Sequence, residues 1–141
     1  MKIVFDTNVY VAEALLGAAA SRMIEATRTA GWRICVSAYL LGELERVLAD
    51  SLGFSRRLAI LSRQRIVRRS ASIELPTSRH VVPDDPKDSP ILQTAIAAGA
   101  DYLVTNDHHL LSLDPCESLR IIWMNAYERL LTDQGLLPPT A

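Results

Sequence analysis

Residues 2–9 read KIVFDTNV. The run KIVF is short and nearly all apolar, as a parallel strand buried on both faces would be. It stops at an acid, Asp6, followed by Thr7 and Asn8. An aspartate directly after a buried strand has two readings. It caps the next helix, or it stands at the carboxyl end of a strand, where open α/β sheets bind ligands. Its neighbours along the chain decide how much weight each reading carries.

Outward from that strand, apolar spacing alternates between strand and helix. Helices are predicted over 8–15 and about 19–29, with Gly31 just beyond the second as a C-terminal cap. Residues 32–36 (WRICV) form a second predicted strand. Ser37 suits the N-cap of a helix from 38 to about 50, with Leu40, Leu41, Leu44, Val47 and Leu48 on one face. A helix follows over 55–69, then a short strand over 71–75 ended by Pro76, then the turn-rich loop PDDPKDSP at 83–90. Ile91, Leu92, Ala95 and Ile96 give the next helix a buried stripe, and Gly99 closes it. A strand at 102–104, a helical turn at 107–111, a strand at 119–124 and a helix at 125–133 complete the chain, leaving 134–141 as a flexible tail. This alternation predicts a single α/β domain with a mainly parallel sheet between helical layers.

Composition sets outer bounds. The chain has 141 residues, 49% hydrophobic and 22% charged, which suits one folded domain and argues against disorder. No apolar run reaches the roughly 18 residues of a membrane span, and the N-terminus lacks the basic and apolar regions of a signal peptide. A cytoplasmic location is the expectation. Cys35 and Cys116 have no metal or disulfide spacing and read as small core residues. The net charge of −1 says less than its distribution. Arg56, Arg57, Arg63, Arg65, Arg68 and Arg69 fall in a segment with no acid between Asp50 and Glu74, while acids gather at 83–88. A basic zone apart from an acidic one can hold a polyanion at the first and a cation at the second.

Four acids come from four distant segments: Asp6 after the first strand, Glu43 in the second turn of the helix after the second strand, Asp88 before the helix at 89–98, and Asp107 after the strand YLVT. Side chains on a helix lean toward its N-terminus, so Glu43 can point back at the strand ends. Each acid has a plainer role. Asp6, Asp88 and Asp107 are sound helix caps, and a helical glutamate is usually solvated. Separate caps, however, need share no location, whereas these four are predicted at one sheet edge. Like charges about 4 Å apart repel by roughly 4 kcal/mol at an effective dielectric near 20, so such a cluster requires protons or a cation. An all-oxygen donor set selects a hard ion, Mg²⁺ or Mn²⁺. His108 and His109 adjoin Asp107 but lack the third nitrogen or sulfur ligand that zinc prefers. A hard divalent ion suits phosphodiester hydrolysis, and the arginines at 56–69 would supply phosphate contacts. No aromatic stacking platform is evident.

The chain resembles the PIN-domain family of metal-dependent ribonucleases. The resemblance rests on FDTNV at 5–9, VSAYLLGELERVL at 36–48, DDPKDSPILQTAIAAGADYLVTNDHHLL at 84–111, and the strand with its helix at 119–131. It implies a three-layer α/β/α sandwich around a parallel sheet of four or five strands, and RNA cleavage with Mg²⁺ or Mn²⁺. By position it implies Asp6, Glu43, Asp88 and Asp107 as metal-holding catalytic acids, with Thr7, Asn8, Thr105 and Asn106 orienting them. Glu45 competes with Glu43, and Asp84 or Asp85 with Asp88. Glu43 is preferred as one turn nearer the sheet, and Asp88 because it adjoins the helix start. Many bacterial members resemble toxins of VapC-type toxin–antitoxin pairs, which implies a homodimer and a cognate antitoxin that covers the site. Two alternatives stay open. One is an RNA- or partner-binding domain without catalysis. The other is phosphotransfer through a phosphorylated Asp6, for which Lys87 is the available lysine because Lys2 opens the first strand at its far end.

Overall fold

A computed structural model of the chain describes residues 1–75 and 89–139. Five strands form one sheet: β1 (Lys2–Phe5), β2 (Arg33–Ser37), β3 (Ala71–Ile73), β4 (Tyr102–Val104) and β5 (Arg120–Ile122). Their order is β3-β2-β1-β4-β5, and every neighbouring pair is parallel. β1 is central because it can be buried on both faces: Ile3, Val4 and Phe5 are wholly inaccessible. Among the described residues seven α-helices pack around it: α1 (Thr7–Leu16), α2 (Ala18–Thr29), α3 (Ala38–Arg46), α4 (Arg56–Arg68), α5 (Pro90–Ala98), α6 (His108–Leu111) and α7 (Met124–Asp133). The result is the predicted three-layer sandwich, with the sheet at the upper end of the expected strand count.

Strand order has a functional consequence. The chain leaves β1 toward β2 on one side, whereas β4 continues to β5 on the other. The crevice between β1 and β4 is therefore the topological switch point, where ligands bind open parallel sheets. Register aligns three residues there. Phe5 pairs with Val104, and Val104 with Ile122, so Asp6, Thr105 and Trp123 follow side by side on three adjacent strands. Backbone hydrogen bonds continue the alignment, from Asp6 N–H to the Val104 carbonyl (2.9 Å) and from Thr105 N–H to the Ile122 carbonyl (3.0 Å).

The helices close over one apolar core. Phe5 meets Tyr10 and Tyr127 edge-on, and the Tyr127 hydroxyl pairs with Thr27 at 2.6 Å, tying α7 to α2. Two bounds differ from expectation. The helix from residue 38 stays regular only to Arg46, then widens into a π-helical turn, Val47–Ser51, closed by Leu52 N–H to the Val47 carbonyl. The expected loose tail is instead anchored at Leu137, which is buried, and by Leu136 N–H to the Leu131 carbonyl at 2.8 Å. Apolar side chains after α7 gain by covering the core rather than staying in water. Cys35 is buried and Cys116 half-buried. No helix among the described residues is long and apolar enough to cross a membrane.

Candidate active site

Asp6 lies at the switch point and is both of the things its sequence allowed. It is the N-cap of α1, with Oδ1 accepting from Thr7 N–H at 2.6 Å. Its other oxygen faces β4. There Oδ2 accepts the Thr105 hydroxyl at 2.7 Å and the Asn8 amide at 3.3 Å. The carboxylate is 6% exposed, so each of these donors offsets part of the cost of burying it. Burial nonetheless pushes the Asp6 carboxyl above the usual range; the Thr105 and Thr7 hydrogen bonds pull it down, and the charges of Asp107 and Glu43 push it up.

Thr105 joins the two strand-end acids. Its hydroxyl donates to Asp6 and accepts from Asp107 N–H at 3.0 Å and from the Asn8 amide at 3.4 Å. One donor and two acceptor positions exhaust what a hydroxyl offers. Asp107 in turn caps α6 through His109 N–H at 2.9 Å. Asn106 turns away toward α7, where its carbonyl oxygen accepts from Met124 N–H and its amide reaches the Met124 sulfur. Asn8 thus donates to Asp6, while Asn106 bonds Met124 at the start of α7.

Glu43 reaches the site from α3. Ser37 starts that helix, accepting from Leu40 N–H, and its hydroxyl also pairs with Thr94 on α5 at 2.8 Å. With α3 pinned at the sheet edge, Glu43 and Tyr39 line a cavity of about 370 Å³ together with Asp6, Thr7, Asn8 and Ile91. Glu43 also forms an ion pair with Arg46, one turn on. Glu45 points elsewhere, to Arg63 on α4 at 2.8 Å. A larger cleft, about 590 Å³, runs between Glu45 and the α4 residues Ile60, Arg63 and Val67. Among the described residues its one lining carboxylate is already paired, whereas the smaller cavity holds Asp6 and Glu43.

The other residues singled out by the sequence fare differently. Asp88, Asp84, Asp85 and Lys87 lie outside the described residues. The arginine row is not the free basic face that its spacing suggests. Arg56 and Arg57 are exposed at the start of α4. Arg68 donates to the Gln64 carbonyl, Arg63 holds Glu45, and Arg65 approaches Glu13 at 3.6 Å. Arg69 is buried and grips Glu13 with both terminal nitrogens, at 2.9 and 2.6 Å. A buried, forked guanidinium is committed to its partner and is withdrawn from any phosphate-contacting surface.

Every donor around the cavity is an oxygen, which suits Mg²⁺ or Mn²⁺. Two of these oxygens, Thr7 Oγ1 and Asn8 Oδ1, are buried with no hydrogen-bond partner among the described residues. Orphaned buried oxygens beside a buried carboxylate fit a cation or the waters it carries. Among the described residues no three His, Cys, Asp or Glu side chains are grouped closely enough to hold a metal. The donor chemistry fits a hard cation, and the described acids alone do not close a cage around one.

Fold and site together define a class: a parallel α/β domain with a buried acid, Asp6, at its switch point and Glu43 lining the same cavity. Residues 2–109 match the PIN domain family model, and the chain belongs to the PIN domain family. A chain in the crystal structure of VapBC2 from Rickettsia felis bound to a DNA fragment from their promoter has a similar fold. It has a TM-score of 0.63 and 16% identity, and the match covers 87% of this chain and 98% of that one. At that identity the similarity is one of fold. No match among curated proteins was found.

Two residues of this region escaped the sequence reading. Tyr39 is 46% exposed on the cavity rim, and Trp123 is 41% exposed at the end of β5. Helical spacing marks Tyr39 only as the outward neighbour of Leu40. Only the strand register brings Trp123 level with Asp6.

Proposed function

We propose that the chain is a Mg²⁺- or Mn²⁺-dependent ribonuclease, the toxin of a toxin–antitoxin pair. One observation carries this reading: a buried carboxylate at the switch point, Asp6, shares a cavity with Glu43 and the Thr105 hydroxyl with Asp107, beside two orphaned oxygens. Membership of the PIN domain family, whose members are nucleases, supports hydrolysis of a nucleic-acid backbone. The fold neighbour belongs to a VapBC2 assembly, which supports an antitoxin partner. The chain is further proposed to act as a homodimer.

Asp6, Glu43, Asp107 and Asp88 would hold the ion. Bound there, it would make water a better nucleophile and stabilise charge on the phosphate. The protein's own part is orientation. Thr7 N–H fixes one oxygen of Asp6, Thr105 and Asn8 fix the other, and the same Thr105 hydroxyl sets the backbone that carries Asp107. Such supporting groups decide how well carboxylates present themselves. Of the two lysines a phosphotransfer site could use, Lys2 lies at the opposite end of β1 and Lys87 lies outside the described residues.

The test is cleavage of RNA by purified protein with Mg²⁺ or Mn²⁺, beside Asp6→Asn. The parent is expected to cut and the variant to lose nearly all cleavage. Equal cleavage by both would overturn the reading.

A further inference from the structure

Trp123 stands where neither folding nor capping accounts for it. It occupies the N-cap position of α7 but makes no side-chain capping bond. Ser, Thr, Asp or Asn would serve there. At 41% exposure, much of its large apolar ring faces water, a cost without return unless something covers it. Its position is not arbitrary. Ile122 is the register partner of Val104, which pairs with Phe5. Trp123, Thr105 and Asp6 therefore stand level on adjacent strands, which places Trp123 about 10 Å from Asp6 along the sheet edge.

The ring is also held in place. The His108 imidazole, one residue after Asp107, meets it edge-on, with centroids 5.0 Å apart and planes at 82°. The next residue, Met124, is bonded to Asn106 through both backbone and sulfur. His108, the residue after Asp107, thus packs against an exposed aromatic face at the strand ends, and Asn106, the residue before Asp107, holds the backbone that follows it. A π-face fixed in orientation, with an imidazole at its edge, suits a nucleobase, since every base has a flat face to stack.

We infer that Trp123 is a base-stacking residue of the substrate site, holding an unpaired nucleobase close to the phosphate presented at Asp6. The inference rests on the ribonuclease reading and names a residue that selects how its substrate lies. His108 is a positioning residue for the ring, and Asn106 for the backbone that follows it. A base already stacked within a duplex cannot offer its face in this way.

The experiment uses Asp6→Asn protein, which would bind RNA without cutting it, and a single-stranded oligoribonucleotide. Trp32, the only other tryptophan, packs against the core at the opposite end of the sheet and serves as an internal reference. Tryptophan fluorescence is expected to be quenched on titration, and the quench to vanish in Asp6→Asn/Trp123→Phe. Anisotropy of labelled RNA should show that Phe at 123 keeps most of the affinity, while Trp123→Ala weakens binding about tenfold. The same RNA annealed to its complement should give no quench. Binding by Trp123→Ala as tight as by the parent, or an equal quench in the Phe variant, would overturn the platform. Trp123→Phe, which keeps a ring, guards against a loss that reflects only misfolding. Cleavage by the wild-type chain is read separately: cutting without quench sinks the platform alone, and no cutting under any metal sinks the function beneath it.

Discussion

Asp6 needs its neighbours because a buried carboxylate has no water to orient it. Thr105 is the neighbour that matters most. Its hydroxyl is short to Asp6 at 2.7 Å and close to Asp107 N–H at 3.0 Å, whereas the Asn8 amide bonds are long, 3.3 and 3.4 Å. Thr105→Val keeps the shape but leaves Asp6 short of a donor and a backbone N–H short of its acceptor, and unmade buried hydrogen bonds are costly. It is expected to lower RNA cleavage by about 10- to 100-fold and to lower the melting temperature. Asn8→Ala removes only the long bonds and should cost less on both measures. Steady-state cleavage rates and thermal melts of the two variants check the order, and an Asn8→Ala defect as large as that of Thr105→Val would contradict it. Thr105 was legible as a polar residue beside a strand-end acid. That one hydroxyl would serve two acids was not, because the β1–β4 register is a property of the sheet and not of either strand.

Among the elements, α4 is where sequence and structure part most. Its arginines read as a phosphate-binding row, yet Arg69, just past the helix end, is buried against Glu13 of α1. Sequence distance hid this: the partners are 56 positions apart, and an arginine's spacing does not reveal a buried acid elsewhere. The same applies to Glu45, whose partner Arg63 sits on the facing helix. Elements with strong local signals were legible, including β1, β2, β4 and β5 and the caps at Asp6, Ser37 and Gly99. The π-helical turn and the anchored tail follow from contacts with the finished core. The Glu13–Arg69 pair makes a prediction of its own. Arg69→Met strands a buried carboxylate and should cost about 3–5 kcal/mol, while Glu13→Met/Arg69→Met should recover most of it. Burial pushes the Glu13 carboxyl up, but hydrogen bonds from Arg69 and Ser21 and the charges of Arg69 and Arg65 outweigh it, leaving the value below the ordinary 4.5. A carboxylate held below its unfolded value stabilises the fold above that unfolded value, and the contribution fades as pH falls through the folded one. Melting temperature should therefore fall more steeply in the parent than in the double Met variant as pH drops below about 4.5. Parallel curves would show that the pair is not the element holding α1 to the end of α4.

At the scale of the whole molecule, the site exists only when β1, α3 and β4 are assembled, since Asp6, Glu43 and Asp107 have no proximity in the unfolded chain. A ligand that needs all three can bind only the folded protein, and its binding energy then appears as stability. The metal-free fold carries a penalty there. Burial, and then the charges of Asp107 and Glu43, make ionised Asp6 unfavourable, and a divalent cation would relieve both effects. Mg²⁺ or Mn²⁺ at about 100 times its dissociation constant should add about 2.7 kcal/mol, which for a domain of this size is a rise of several degrees in melting temperature. Chelator should reverse the rise. Asp6→Asn removes the central charge, so it should melt higher than the parent without metal at neutral pH and gain little from adding it. The crossing of these two responses distinguishes a cation site from general salt effects, which would raise both proteins alike. A metal-independent melting temperature in the parent would mean that the acids at the switch point serve only as caps.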